Sequence, residues 1–241
     1  MFKKALLTAA AVSAMISYGS VAQAEQIGSF DVTGNAGFFS EYSFRGITQS
    51  DEGVALQGGL DVAHDSGLYA GAWGSNIDFN DEADLEIDMY AGYAGEVSGI
   101  GYDVGFIYYA YPNAGANTDY DFGEAQVTLS KDFGSFSSSF GVYYSGDYFN
   151  ESGDSQYYVL SGEVPVADGL SVTGHVGHQV LDDEAAFGIT EDSYTDFSFG
   201  FAYAAQGFDL SLEYAGTDLD EPNECADGCD PRVIAGISRT F

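Results

Sequence analysis

Basic residues are scarce in this chain: 6 Lys and Arg stand against 38 Asp and Glu, which gives a formal net charge of −32. This balance excludes binding to a nucleic-acid backbone as a main activity, because the phosphates would be repelled. Proline is also rare, at 4 of 241 residues, whereas glycine reaches 32 and Tyr and Phe reach 18 each. Abundant glycine and aromatic residues favour strands over helices.

Long apolar runs are missing after the first residues, and this excludes a helical membrane protein, since a spanning helix needs about 20 apolar residues. At the start, a lysine pair precedes an apolar run that ends at Ile16, and Ala22 and Ala24 form a small-x-small cleavage pattern. The run is too short for a retained anchor. We therefore predict a cleaved signal peptide over residues 1–24 and an exported domain over 25–241. A soluble periplasmic protein and an outer-membrane barrel remain as the two possible classes of protein.

Twelve segments alternate apolar and polar residues with a period of two, which is typical of strands with one apolar face. In one of them Leu85, Ile87 and Met89 share a face, and Glu86 and Asp88 take the other. The predicted strands lie near residues 32–45, 55–64, 68–77, 85–93, 100–108, 122–131, 136–144, 157–166, 170–180, 197–203, 208–214 and 232–241. Only the third is ambiguous, because the faces Leu68/Ala70/Ala72 and Tyr69/Trp73/Ile77 are both plausible.

The connections between these strands alternate in length. Tight turns with Gly or Asp lie near residues 65–67, 96–99, 132–135, 167–169 and 205–207, and longer polar loops lie near 46–53, 78–84, 112–120, 146–154, 182–194 and 216–231. The pattern predicts an all-β, antiparallel, up-and-down transmembrane β-barrel of about 12 strands, with short periplasmic turns and long acidic extracellular loops. A soluble sandwich or lipocalin-like barrel is the alternative, but its apolar face would have to fill an unusually wide interior.

Acidic residues within the strands are predicted to face the lumen, because a carboxylate that faces lipid costs free energy. The pore-lining candidates are Glu41, Glu86, Asp88, Glu124, Asp196 and Glu213 near the outer mouth, and Asp61, Asp103, Glu163 and Asp209 nearer the periplasm. We place one cation, Arg45, among them on the inward face of the first strand. Arg45 would either narrow the pore and grip an anionic part of a solute, or pair with Glu41 or an acid of a neighbouring strand. The excess of carboxylates predicts a preference for cations.

Cys225 and Cys229 lie four residues apart in the last acidic loop, and in an exported chain we predict a disulfide that stiffens it. Two Cys without a nearby His do not make a zinc site. Calcium in the same loop remains an alternative, with Asp218, Asp220, Glu221, Asp227 and Asp230 as ligands. We otherwise expect no metal and no cofactor.

Catalytic signals are weak. The histidines are His64, His175 and His178, and a hydrolase would need a serine with a histidine in reach and a third group that orients it. No nucleophile motif surrounds any serine. We therefore expect no enzyme, and we keep an outer-membrane hydrolase as the less favoured alternative.

Residues 40–49 (SEYSFRGITQ), 57–59 (QGG) and 67–76 (GLYAGAWGSN) resemble the proteobacterial porins labelled TorF. The positions that match this motif are Arg45, Gly46, Gln49, Trp73, Ser75 and Asn76. The final residue, Phe241, resembles the signal by which outer-membrane barrels are recognised for assembly. The resemblance implies an outer-membrane porin of a Gram-negative bacterium, and it names no solute.

Together these features predict a channel for passive diffusion of small hydrophilic solutes. Its expected partners are outer-membrane lipids, the barrel-assembly machinery through Phe241, and the solutes themselves, with no nucleic acid. A closed structural or adhesive barrel that acts through its loops is the alternative. The sequence indicates no particular oligomeric state.

Overall fold

The structure is a computed structural model that describes residues 25–116 and 118–241. The predicted signal peptide, residues 1–24, lies outside the described residues. Within the described part of the chain, no helix is long and apolar enough to cross a membrane.

Strands make up nearly all of the regular structure in the described residues. Their bounds are β1 Glu25–Ile27, β2 Phe30–Phe39, β3 Ser43–Phe44, β4 Ile47–Thr48, β5 Ala55–His64, β6 Leu68–Asn76, β7 Leu85–Val97, β8 Ile100–Ala110, β9 Phe122–Asp132, β10 Ser137–Ser145, β11 Ser155–Ala167, β12 Leu170–Leu181, β13 Ser193–Ala205, β14 Phe208–Thr217 and β15 Arg232–Thr240. The only helices described are a 3₁₀ turn at Phe149–Glu151 and the short α1 at Glu184–Phe187.

Twelve of the described strands, β2 and β5 to β15, pair antiparallel with their neighbours and close into a barrel. The barrel closes because β2 pairs with β5 on one side and with β15 on the other. At this seam the N–H of Phe241 donates to the carbonyl of Gly34 at 2.9 Å, and the N–H of Gly34 donates back at 2.8 Å. The predicted fold class is confirmed.

Six connections gather at one end of the barrel, and we number them loops 1 to 6: residues 40–54, 77–84, 111–121, 146–154, 182–192 and 218–231. The other end carries the short turns and both termini of the described chain. We call the two ends the loop end and the turn end. The predicted alternation of short and long connections is confirmed.

The two faces of the barrel wall differ in chemistry. Outward side chains are large, apolar and exposed, among them Leu60, Phe106, Phe140, Phe199 and Leu212. Inward side chains are mostly polar or aromatic. In β6, the strand whose facing the sequence left open, Tyr69, Trp73 and Ser75 turn inward and Leu68, Ala70 and Ala72 turn outward. An apolar outer belt with a polar interior suits lipid outside the barrel.

The first predicted strand is too long, and this error moves two candidate residues. β2 ends at Phe39, so Glu41 and Arg45 lie in loop 1 rather than on a strand. Loop 1 folds back as a hairpin, β3 with β4, in which Ser43 pairs with Thr48 and Phe44 with Ile47. Arg45 and Gly46 both have positive φ, 48° and 81°, as a two-residue hairpin turn requires.

The loop half of the lumen is filled. Every barrel strand except β2 contributes a large or polar inward side chain that is buried; among these are Gln57, Ser75, Glu86, Asp88, Ile107, Tyr109, Phe122, Glu124, Gln126, Ser145, Tyr157, Gln179, Leu181, Tyr194, Asp196, Thr217 and Ile234. In the turn half, the inward acids Asp61, Asp103, Glu163 and Asp209 are only half-buried. The barrel is therefore packed towards its loop end and open towards its turn end.

Candidate functional site

Loop 1 occupies the barrel interior, and contacts from its stem hold it there. The ring of Tyr42 packs edge-on against Trp73 of β6 with 5.4 Å between centroids. Its hydroxyl donates to Glu86 Oε1 at 2.8 Å. On the returning strand of the hairpin, the N–H of Gln49 donates to the carbonyl of Tyr42 at 2.7 Å, and the N–H of Asp78 donates to the carbonyl of Gln49 at 2.8 Å. Loop 1 is thus seated on β6, β7 and loop 2.

The motif positions singled out from the sequence lie in this seat. Gly46 lies in the hairpin turn. Its φ is positive, and a Cβ atom at this position would lie 2.6 Å from Thr217 Cγ2, so both the backbone and the space favour glycine. Ser75 is buried beneath the loop. Asn76 faces outward, and its side chain accepts from the N–H of Leu56 at 2.7 Å and donates to the carbonyl of Val54 at 3.0 Å. The motif residues therefore belong to loop 1, which folds into the lumen, and to the part of the barrel wall that contacts it.

Arg45 stands at the tip of the hairpin and crosses the lumen. Its Nη2 donates to Glu124 Oε2 of β9 at 2.6 Å, and its Nη1 donates to Gln179 Oε1 of β12 at 2.7 Å. The side chains of Arg45 and Glu124 are 5% and 0% exposed. The sequence suggested Glu41 or an acid of a neighbouring strand as the partner, but the actual partner lies across the barrel, because the hairpin carries Arg45 away from β2.

Glu41 pairs with a different cation. Its Oε1 accepts from Nε of Arg232 at the start of β15. Arg232 also donates to the carbonyls of Asp230 and Gly228, both at 2.6 Å. In the same loop Cys225 and Cys229 are joined by a disulfide. Arg232 thus fastens loop 6 to the base of loop 1.

The strand acids lie on the inward faces of their strands. Glu86, Asp88, Glu124 and Asp196 are buried in the packed half, at 1% exposure or less. Glu213 is half-buried, as are the four acids of the turn half. Two of those four accept from inward tyrosines: Asp61 from Tyr90 at 2.5 Å and Asp103 from Tyr69 at 2.7 Å.

Several buried carboxylate oxygens lack a hydrogen-bond partner among the described residues. They are Oε1 of Glu124, Oδ2 of Asp103 and Oδ2 of Asp196, whereas Asp88 shares a hydrogen bond with Glu86. A buried carboxylate without partners is costly to keep charged.

An aromatic cluster from loops 2 to 5 covers the packed half. Tyr120 and Phe149 stack at 4.4 Å, and Phe79 packs edge-on against both rings at 5.7 Å. Burial, with a hydrogen bond from its hydroxyl to Asp81, raises the pKa of Tyr120 to about 12. Between this cluster and loop 1 lies a cavity of about 220 Å³, which Phe44 and Gln49 also line. The cluster closes the lumen from the loop end.

A chain of Ser, His and Asp, which the sequence did not reveal, also lies inside the barrel. Ser198 Oγ is 2.7 Å from His175 Nδ1, and His175 Nε2 is 2.7 Å from Asp196 Oδ1. Tyr157 donates to the same Asp196 oxygen at 3.0 Å. His175 lies on β12, Ser198 and Asp196 lie on the paired strand β13, and Tyr157 lies on β11. Only the register of these strands brings the four side chains together.

Metal sites find no support in the geometry: no group of three or more His, Cys, Asp or Glu side chains among the described residues is arranged to hold an ion. Three of the acids considered for calcium instead accept hydrogen bonds from protein groups. Asp220 Oδ2 accepts from Asn223 Nδ2 at 2.8 Å, Glu221 Oε2 accepts from the N–H of Cys229 at 3.2 Å, and Asp218 Oδ1 accepts from the N–H of Thr195 at 2.7 Å.

Residues 23–241 match a bacterial family described as a protein of unknown function, Gcw_chp. The chain belongs to this family. The resemblance to TorF-type porins is not confirmed under that name. No curated protein matches the chain.

Solved outer-membrane channels share the fold of this Gcw_chp protein. A NanC porin structure covers 87% of this chain and 98% of its own, at 12% identity and a TM-score of 0.56. The COG4313 outer membrane channel from Pseudomonas putida F1 covers 91% and 98%, at 12% identity and a TM-score of 0.52. Salmonella typhi OmpF, in a complex with daunomycin, covers 88% and 97%, at 10% identity and a TM-score of 0.50. These likenesses establish the porin-type barrel fold.

Proposed function

We propose that this Gcw_chp protein is a cation-preferring channel for small hydrophilic solutes in the outer membrane of a Gram-negative bacterium, and that loop 1 gates it. The apolar outer belt and polar interior support the location. Phe241, which completes the barrel seam, would be read by the assembly machinery, and the outer belt would contact lipids.

The unpartnered carboxylate oxygens inside the barrel carry this proposal. Glu124 and Asp196 present such oxygens in the packed half, and Asp103 presents one nearer the turn end. A purely structural core would pair these groups, because each buried charge without a partner lowers stability. Carboxylates along the axis of a narrow lumen attract cations and exclude anions.

Gating follows from the packed half of the lumen. The inward side chains at the level of Arg45 are buried, so solutes can pass only when loop 1 moves. Loop 1 itself has little regular structure, a hairpin of two pairs, and its tip depends on Arg45 for contacts with the far wall. The Arg45–Glu124 ion pair therefore holds loop 1 in the closed position, and we call this pair the latch.

Single-channel recording in planar bilayers tests the proposal. We expect rare openings and, in a KCl gradient, a reversal potential that favours cations. Glu163→Gln should move the reversal potential towards zero without changing how often the channel opens, since Glu163 is a half-buried lumen acid towards the turn end, far from loop 1. The paired variant Asp182→Asn with Asp183→Asn, in loop 5, should change selectivity less, because salt screens exposed charges.

An anion-selective pore would contradict the cation preference. A barrel that never conducts, even when the latch is removed, would instead favour a closed structural or adhesive protein that acts through its loops. Fractionation with heat-modifiable migration on a gel tests the location, and recovery from the soluble periplasm would refute it.

The Ser198–His175–Asp196 chain favours a hydrolase as a second candidate. Its distances suit proton transfer from serine to histidine. However, Ser198 lies within β13, where backbone N–H groups are used in pairing with β12 and β14, so donors for an oxyanion are not at hand. Ester hydrolysis that is lost in Ser198→Ala would establish this activity, and labelling by a fluorophosphonate probe would confirm the nucleophile.

A further inference from the structure

The guanidinium of Arg45 sits in a cage of aromatic rings. Its Cζ atom lies 4.1 Å from the ring centre of Tyr157, 5.5 Å from that of Tyr143 and 5.7 Å from that of Tyr148. Phe44, on the same hairpin, adds a fourth ring at 4.8 Å. Aromatic faces at these distances attract a cation, and the attraction is strongest where water is excluded.

The polar end of the cage matches a planar guanidinium. Glu124 Oε2 and Gln179 Oε1 accept from Arg45 at 2.6 and 2.7 Å, and the Tyr148 hydroxyl accepts at 3.4 Å. Burial raises the pKa of the Tyr148 phenol above its usual range, and the neighbouring Arg45 offsets part of this effect, so the ring stays neutral. A carboxylate and an amide oxygen beside aromatic faces suit guanidinium or a small ammonium group better than a bare metal ion.

Apart from Phe44 of loop 1 and Tyr148 of loop 4, the cage residues belong to the barrel wall. Glu124, Tyr143, Tyr157 and Gln179 lie on the four consecutive strands β9 to β12. Other wall residues hold its acceptors in place: Tyr109 donates to Glu124 Oε2 at 3.1 Å, and Gln179 donates to Ser155 Oγ at 2.5 Å. The cage would therefore keep its shape if Arg45 left.

Glu124 supplies the negative charge of the cage. Its side chain is 0% exposed, its Oε2 accepts from Arg45, and its Oε1 has no hydrogen-bond partner among the described residues. A cation that replaced Arg45 would therefore meet a buried carboxylate with an unused acceptor oxygen, which favours a cationic occupant over a neutral one.

We propose that the cage formed by Glu124, Tyr143, Tyr148, Tyr157 and Gln179 is a binding site for the guanidinium or small ammonium group of a cationic solute. Arg45 is the internal ligand that such a solute displaces. The part of the inference that concerns permeation rests on the proposed channel function, because displacement of Arg45 would release loop 1. Binding itself does not depend on conduction.

Titration of the purified, detergent-solubilised barrel with methylguanidinium chloride tests the site, with sodium chloride at equal ionic strength as the reference salt. Arg45→Asn empties the cage, and asparagine tolerates the positive φ of this position. We expect saturable binding to this variant by calorimetry and none of sodium. Adding Glu124→Gln should weaken binding by about tenfold or more, as expected for loss of a charge-assisted hydrogen bond.

The unaltered protein provides a second measurement. The chain has a single tryptophan, and Trp73 packs against Tyr42 of loop 1. Displacement of the loop should shift Trp73 emission to the red, at a methylguanidinium concentration above that which saturates Arg45→Asn, because the solute must compete with Arg45. Arg239→Asn, which removes an exposed outward arginine, should behave as the unaltered protein.

Three outcomes would overturn the proposal: no saturable binding to a folded Arg45→Asn barrel, equal binding when Glu124 is also changed, or an unaltered protein whose Trp73 emission never responds. Heat-modifiable migration shows whether each variant has folded. If Arg45→Asn fails to fold, the Trp73 titration of the unaltered protein decides alone. Methylguanidinium binding without any conductance would refute the proposed channel function but support the proposed binding site. Conductance without methylguanidinium binding would support the channel function and refute the binding site.

Discussion

Glu124→Gln is the sharpest test of the latch. The substitution keeps the size of the side chain and one oxygen acceptor for Arg45, and it removes the negative charge. Because the Arg45 and Glu124 side chains are 5% and 0% exposed, solvent screens their interaction little. Removing one partner of a buried ion pair costs about 3–5 kcal/mol, and the retained acceptor favours the lower end of this range.

The cost falls on the closed state, since Arg45 reaches water once loop 1 moves out. A change of about 3 kcal/mol corresponds to a shift of about 100-fold in the ratio of open to closed channels. Single-channel open probability measures this ratio directly. Glu163→Gln serves as a matched control, because Glu163 is a half-buried lumen acid towards the turn end, far from the latch along β11.

The reasoning is refuted if the two variants open equally often, or if Glu124→Gln opens no more than the unaltered channel. The reversal potential is a separate readout, since Glu124→Gln also removes a lumenal charge. A change in selectivity without a change in open probability would mean that Arg45 is held by its other contacts.

Three further substitutions test the seat of loop 1 and loop 6. Gly46→Ala places a Cβ atom at positive φ against Thr217, a strain of about 1–2 kcal/mol that should raise open probability about 5- to 30-fold in channel recordings. Asn76→Ala removes two hydrogen bonds to the backbone of residues 54 and 56, worth about 1 kcal/mol each, and should lower the temperature at which heat-modifiable migration is lost. Replacing Cys225 and Cys229 by Ser removes a crosslink worth about 2 kcal/mol for so short a loop, so a protease should cut loop 6 faster while the barrel stays intact. An unchanged open probability, melting temperature or cleavage rate would contradict the corresponding argument.

Local chemistry determined the barrel from the sequence alone. Alternation with a period of two sets the faces of a strand such as β7, and glycine or aspartate marks the tight turns, because both depend on residues close together in the chain. The strand count, the order of short and long connections and the inward placement of Glu86, Asp88 and Glu124 follow from these rules. The disulfide partners also lie within one loop.

The tertiary structure alone decided what fills the barrel. The sequence extended the first strand through Arg45 because alternation continues past Phe39, and the only local signal against it was the Arg45-Gly46 pair between Phe44 and Ile47. Arg45 meets Glu124 and Gln179 at separations of 79 and 134 residues, and these contacts exist only once the barrel has closed. Rules for the pairing of neighbouring strands do not predict contacts between residues on opposite sides of a lumen. The Arg45–Glu124 pair and the aromatic cage therefore became apparent only in the tertiary structure.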